Sequence, residues 1–187
     1  MKIIQLGTND GQDDLTKIVM SYKPSDIELL VLVEPQEIFN SSIKNIYQDY
    51  NFNIENKIIN LDESKKSEIF YTCIHKHLSS LKKENIENHG LGVPISEVVY
   101  ESITLNELFE KYNVVDLDIL FVDVEGMDDK IISSIDFNKV SIKQIYYEFS
   151  HIDDESFINF LNTRGYEVHK NIFYNGYTNL ATKKCNL

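Results

Sequence analysis

The stretch Leu117-Asp118-Ile119-Leu120-Phe121-Val122 is almost continuously apolar, and it stops at Asp123-Val124-Glu125-Gly126. A short apolar run bounded by a turn signal suits a strand buried on both faces of a parallel sheet. Such a strand needs helices on either side of it, so this run constrains the fold of the whole chain. It also constrains where chemistry can sit, because ligands of open α/β sheets lie beyond the carboxyl ends of the strands. Asp123 and Glu125 fall at such an end. Taken alone, the stretch also fits a strand-ending turn with solvated acids, and the rest of the chain has to decide.

The other segments repeat the pattern. Residues 2–6 read as a strand and run into Gly7-Thr8-Asn9-Asp10-Gly11. A helix follows, with Leu15, Ile18, Val19 and Tyr22 on one face. Glycines in such a turn let backbone N–H groups approach a ligand at a helix N-terminus. The spacing is Gly-x-Asn-x-Gly, without the second glycine of the dinucleotide fingerprint. Residues 28–33 are a second buried strand, ended by Glu34-Pro35. An acid there can accept two hydrogen bonds from a ribose diol, in NAD and S-adenosylmethionine sites alike. Alternatively it is a helix-entry acid favoured by the helix dipole. The helix after it carries Ile38, Phe39, Ile43, Ile46, Tyr47 and Tyr50 inward.

A third strand is expected over 54–61, with Asp62-Glu63 after it, and a short added strand over 68–73 behind a hairpin turn at 64–67. Residues 74–99 are the least regular stretch, with a short helix expected around 79–87; long loops of this kind act as lids or substrate contacts. His75-Lys76-His77 lies within it, but a lone His-x-His without a third ligand is weak evidence for a metal. Thr104-Leu105-Asn106-Glu107 is a capping box and opens a helix facing inward with Leu105, Leu108, Phe109 and Tyr112. Ile131, Ile132 and Ile135 mark the next helix. Residues 142–148 form a strand ending at Glu148, with Ser150-His151 just beyond. Asp153-Asp154 cap a helix with Phe157, Ile158 and Leu161 inward, closed by Arg164-Gly165. Strands at 166–169 and 178–183 end the chain, joined through a turn at Asn175-Gly176 and no helix, so the last runs antiparallel to its neighbour. The expected fold is α/β: a Rossmann-like, mostly parallel, doubly wound sheet with one antiparallel strand near its end, in a single domain over 1–187.

Charge narrows the partners. The chain of 187 residues carries 18 Lys and Arg against 30 Asp and Glu, a net charge of −12, with no basic cluster. That argues against nucleic acid and anionic membrane. No run reaches the roughly 18 apolar residues of a membrane span. The first residues turn polar too soon for a signal peptide, and Cys73 and Cys185 have no metal or redox spacing, so a reduced cytoplasmic setting is the expectation. Oligomeric state leaves no signal.

Taken in order, these motifs resemble the FkbM-type methyltransferases, over about residues 3–183. The resemblance rests on Gly7-Thr8-Asn9-Asp10-Gly11 for the family's Gly-x-Asn-x-Gly, Val33-Glu34-Pro35 for its Glu-Pro, and Ser79-Ser80-Leu81 for a serine pair in the variable segment. Ser102-Ile103-Thr104-Leu105 leads into the middle helix, and Asp123-Val124-Glu125-Gly126 matches the telling signature Asp-x-Glu-Gly. Glu148, Gly165-Tyr166 and Asn179 also fit. Two positions depart: Phe121 stands where the family commonly has Lys, and Asp128 where it commonly has Glu.

The resemblance implies the class I methyltransferase fold and S-adenosylmethionine as cofactor, with O-methylation of a hydroxyl on a sugar, glycan or other small molecule. It implies that Gly7, Asn9 and Gly11 hold the cofactor's amino-acid end, Glu34 its ribose, Asp62 its adenine, and Asp123 its ammonium or the reacting centre. Methyl transfer needs aligned reactants, and a hydroxyl acceptor must also lose its proton. Glu125, Glu148 and His151 compete for that task or for holding the acceptor; histidines ordinarily titrate near neutral pH. No metal is assigned. A divalent cation held by Asp123 and Glu148, which end adjacent strands, is the less favoured variant. The competing readings are a non-catalytic cofactor-binding or assembly protein of the same fold and, less favoured, a nicotinamide-dependent oxidoreductase.

Overall fold

The structure is a computed structural model and describes residues 1–173 and 176–184. Asn175 of the expected closing turn, and Cys185, lie outside the described residues. In chain order the first half comprises β1 (Lys2–Leu6), α1 (Asp14–Met20), β2 (Leu29–Val33), α2 (Asn40–Ile46), β3 (Asn53–Glu55), β4 (Ile58–Asn60) and β5 (Ser67–Thr72). The second half comprises α3 (Lys83–Glu87), β6 (Ser96–Thr104), α4 (Leu105–Lys111), β7 (Asp116–Val122), α5 (Asp128–Ser133), β8 (Ser141–Glu148), α6 (Asp154–Thr163), β9 (Tyr166–His169) and β10 (Thr178–Lys183).

Seven strands form the main sheet in the order β3-β2-β1-β7-β8-β10-β9. The pairs β1–β2, β1–β7, β2–β3 and β7–β8 are parallel. β10 runs antiparallel to both β8 and β9. The strand order reverses between β1 and β7, and that is the switch point where an open α/β sheet leaves a crevice. The apolar run of β7 therefore lies at the centre, as its double-sided burial requires.

Alternate residues of the central strands feed two cores. Ile4, Leu6, Leu120 and Val122 pack against Leu105 and Leu108 of α4, Ile131 and Ile132 of α5, and Phe157 and Leu161 of α6. Ile3, Leu30, Leu32 and Ile119 pack against Leu15 and Val19 of α1 and Ile43 of α2. Phe121 belongs to this second core. It is 3% exposed, stacks on Tyr146 with ring centroids 5.6 Å apart, and leans on Phe173 at 6.5 Å. The capping box of α4 forms as expected, with Thr104 and Glu107 closing it reciprocally. Among the described residues no helix is long and apolar enough to cross a membrane.

Residues 64–67 do not close the expected hairpin, because β4 and β5 flank β6 and do not pair with each other, and two larger expectations change. The third strand does not run unbroken over 54–61. It divides at Asn56-Lys57, because the Asn56 amide donates to the Glu34 carbonyl at 2.8 Å and to the Asn40 side chain at 3.0 Å. β3 stays in the main sheet, and β4 leaves it to pair with β6. The second difference is β6 itself. It pairs antiparallel with β5 along Ser67–Thr72 and completes a three-stranded side sheet, β4-β6-β5. Its first residues, from Ser96, fall inside the segment read as irregular.

Candidate active site

A cleft of about 220 Å³ opens at the carboxyl ends of β1, β2 and β7. Residues Asn9, Asp13, Glu34, Ile59, His77 and Glu125 mark its circumference. Four segments shape it: the turn after β1, the Glu34 corner, the turn after β7, and the start of the 74–99 segment.

The turn after β1 does something different from what its glycines suggest. Gly7 has φ +78°, and a Cβ there would lie 1.8 Å from the carbonyl oxygen of Asp123. Gly7 is glycine because the exits of β1 and β7 pack backbone to backbone. Gly11, at φ +81°, turns toward α2, where a Cβ would lie 3.2 Å from Ile46 Cδ1. It does not line the cleft. The amides of Gly7 and Gly11 are engaged internally, donating to the carbonyls of Val33 and Thr8 at 3.0 Å each. Gly7 lines the cleft together with Thr8 and with Asn9, which takes the left-handed conformation at φ +53°. Thr8 Oγ1 and Asn9 Oδ1 are shielded from solvent and have no hydrogen-bond partner. Asp13 caps α1 by accepting from the Thr16 amide at 3.0 Å, also accepts from Gln5, and lines the same wall.

Glu34 follows β2 and is 5% exposed. Its Oε2 accepts from the Asn9 amide and its Oε1 from the Gln36 amide, each at 2.9 Å. These bonds favour the charged form, yet burial outweighs them and pushes the carboxyl up to about 7. Asp62 is elsewhere. It is exposed in the turn after β4, accepts from the Ser64 amide at 2.9 Å and hydroxyl at 2.7 Å, and does not line the cleft. The break at Asn56-Lys57 is the cause: it brings Lys57, Ile58 and Ile59 to the wall instead.

The Asp-x-Glu-Gly turn is built around close approaches. Glu125 has φ +54° and Gly126 φ +84°. A Cβ on Gly126 would lie 3.0 Å from His151 Cβ and 3.3 Å from Asn85 Nδ2. Glycine here lets the loop after β8 close onto the loop after β7. Asp128 ties the same two loops from below. Fully buried, it accepts from the Val124 amide at 3.4 Å and the Glu148 amide at 3.2 Å. The shorter acid at this position thus holds the ends of β7 and β8 together.

Glu125, Glu148 and His151, separate in sequence, meet at the edge of the cleft, whose lining includes Glu125 but not the other two. Each offers a ligand atom within 4.8 Å of the other two, and His151 Nε2 lies 3.8 Å from Glu125 Oε2. Burial, and then the Glu148 charge, push the Glu125 carboxyl up to about 7. Burial followed by the charges of Glu148, Asp128 and Glu125 holds Asp123 well above the usual carboxylate range. The 74–99 segment closes over this turn. Ser80 Oγ and Asn85 Nδ2 donate to the Glu125 carbonyl, and Lys82 Nζ donates to the Gly126 carbonyl at 2.8 Å. Lys76 and His77 of that segment line the cleft, and His77 lies against Phe39 with centroids 5.2 Å apart. His75 joins no ligand group among the described residues.

Several lining residues escaped the sequence reading. Asp13 carried a usable signal, an acid three residues before Thr16 at a helix start. Lys57 and Lys76 carried none, since their placement depends on the side sheet and the closing segment.

The fold is α/β of the doubly wound class, and the candidate cleft lies at its switch point. The model of the Methyltransferase FkbM domain matches residues 5–168. The chain belongs to the FkbM methyltransferase family and is a methyltransferase. No curated protein matches it. Among solved structures it is similar to a chain described as a fibrillarin/Nop5p complex, with 10% identity and a TM-score of 0.49 over 98% of this chain and 72% of that one.

Proposed function

We propose that the cleft binds S-adenosylmethionine and that the protein transfers its methyl group to a hydroxyl of a sugar or other small molecule. The observation that carries this reading is the charge and hydrogen bonding of the cleft. Five acids line it (Asp10, Asp13, Glu34, Asp123 and Glu125), against Lys57 and Lys76. With the Gly7 and Gly11 amides engaged, such a wall favours a cation over a pyrophosphate. The partnerless Thr8 Oγ1 and Asn9 Oδ1 suit the ammonium of an amino-acid end.

Within this reading, Glu34 accepts from the ribose diol while the amides of Asn9 and Gln36 fix its orientation. Asn9, Thr8 and Asp123 hold the amino-acid end. Gly7 and Gly11 act through packing, and Ile58 and Ile59 supply an apolar wall. The bound cofactor supplies an electrophilic methyl group. Glu125, Glu148 and His151 face the acceptor and take up its hydroxyl proton; Glu125, with its carboxyl near 7, is matched to that task at neutral pH. The 74–99 segment acts as the lid and selects the acceptor.

Calorimetric titration with S-adenosylhomocysteine and with NAD tests the cofactor. The expected result is saturable binding of the first alone, lost in Glu34→Ala. Binding of NAD alone overturns the reading. A labelled-methyl screen over glycans and polyols then tests the acceptor class, and label appearing only on amines or carbon would refute O-methylation.

A further inference from the structure

Glu125, Glu148 and His151 do more than face the acceptor. Glu125 comes from the turn after β7, Glu148 from the last position of β8, and His151 from the turn that follows. The glycine at 126 and the buried Asp128 bring these segments together. One oxygen of Glu148 accepts from the Ser150 hydroxyl at 2.6 Å. The other, Oε2, is shielded from solvent and has no partner. A carboxylate oxygen in that position is costly unless a cation or donor meets it. Among the described residues no Lys or Arg pairs with Glu125 or Glu148; the one ion-pair contact of either is His151 with Glu125. The nearby Lys82 ammonium is engaged by the Gly126 carbonyl. Asp123 and Asp128 add further negative charge around the same point.

We propose that Glu125, Glu148 and His151 bind one divalent first-row cation of the Mn²⁺ type, whose open positions face the cleft and take hydroxyl oxygens of the acceptor. The donor set argues for this class. Carboxylate oxygens suit hard cations, and an imidazole nitrogen shifts the preference from Ca²⁺ and Mg²⁺ toward Mn²⁺ and its neighbours. Donor atoms within 4.8 Å of one another can surround a single ion with small rotamer adjustments. Three protein ligands leave positions open, as sites that handle substrate require. Two neighbouring hydroxyls would fill adjacent positions, so the acceptor class is a vicinal diol. The cation lowers the pKa of a bound hydroxyl and offsets the acids clustered there; with the three side chains engaged as ligands, water in the cleft, and not these side chains, takes the hydroxyl proton. The acceptor's part rests on the proposed methyl transfer, whereas the cation's binding does not.

The test is Mn²⁺ titration of the full chain, followed by the loss of the free-ion electron paramagnetic resonance signal, with S-adenosylhomocysteine affinity measured separately on the same proteins. One Mn²⁺ per chain is expected, with affinity reduced at least about tenfold in both Glu148→Gln and His151→Ala. S-adenosylhomocysteine affinity stays at the wild-type value in His151→Ala, whose exposed side chain makes that variant safe for folding. Undiminished free signal at millimolar Mn²⁺, or variants that bind like wild type, overturns the cation site and leaves the cofactor reading standing. Mn²⁺ binding without S-adenosylhomocysteine binding does the reverse.

Discussion

Replacing Glu34 by glutamine removes a charge that the fold buries at 5% exposure while keeping the shape of the side chain. Burial lifts this carboxyl from 4.5 to about 7. Between those values the folded chain holds a proton that the unfolded chain has released, so stability falls as pH rises through this window. That interval corresponds to roughly 3 kcal/mol, fully developed above pH 7 and absent below the unfolded value. Most of this, about 2–3 kcal/mol, develops between pH 5 and pH 8. Glutamine cannot ionise and escapes the loss. It does forfeit one acceptor for the amides of Asn9 and Gln36, a pH-independent cost of about 1 kcal/mol. Urea unfolding of both proteins at pH 5 and pH 8 reads the difference. The variant's stability relative to wild type should improve by about 2–3 kcal/mol at the higher pH. A gap that does not change with pH would show that Glu34 does not carry its proton in the fold. A ligand diol prefers the ionised carboxylate, so wild-type affinity for S-adenosylhomocysteine should be about tenfold weaker at pH 6 than at its alkaline plateau.

Gly126→Ala sets a Cβ 3.0 Å from His151 Cβ at φ +84°; it should cost about 2 kcal/mol in urea unfolding and lower methyl transfer. Asp128→Ala leaves the amides of Val124 and Glu148 without their buried acceptor and should cost about 2–4 kcal/mol, with Asp128→Asn recovering part of it. Phe121→Lys installs the residue common in the family, but the position lies in the Tyr146–Phe173 stack. Calorimetry should show a loss of at least ~3 kcal/mol and no gain in turnover. Asp62→Ala should leave S-adenosylhomocysteine affinity unchanged, because that carboxylate is exposed and outside the cleft; a marked loss would restore Asp62 as an adenine contact.

Some features could be read from local pattern alone. The apolar run 117–122 announced a central strand because double-sided burial leaves no polar alternation. The Thr104–Glu107 box and the Asp153 cap announced helix starts because their bonds are local. The Asn175-Gly176 pair in a short link of the sequence announced the antiparallel strand, and β10 runs antiparallel to β8 and β9. The acids Glu34, Asp123, Glu125 and Glu148 were placed at strand ends by counting along the chain, and they lie there.

What the tertiary structure decided concerns contacts between segments distant in sequence. Gly7 and Gly11 look like ligand-binding glycines, but one is required by the Asp123 carbonyl and the other by α2. Asp62 looks like a strand-end acid, but the Asn56 hydrogen bonds divide the strand and turn it out to solvent. Phe121 looks like a change within the signature, but strand alternation points it to the opposite core. The meeting of Glu125, Glu148 and His151 depends on one missing Cβ at Gly126 and one buried carboxyl at Asp128. Periodicity and caps are local and can be counted along the chain, whereas the side chain that fills a given space depends on which strands become neighbours.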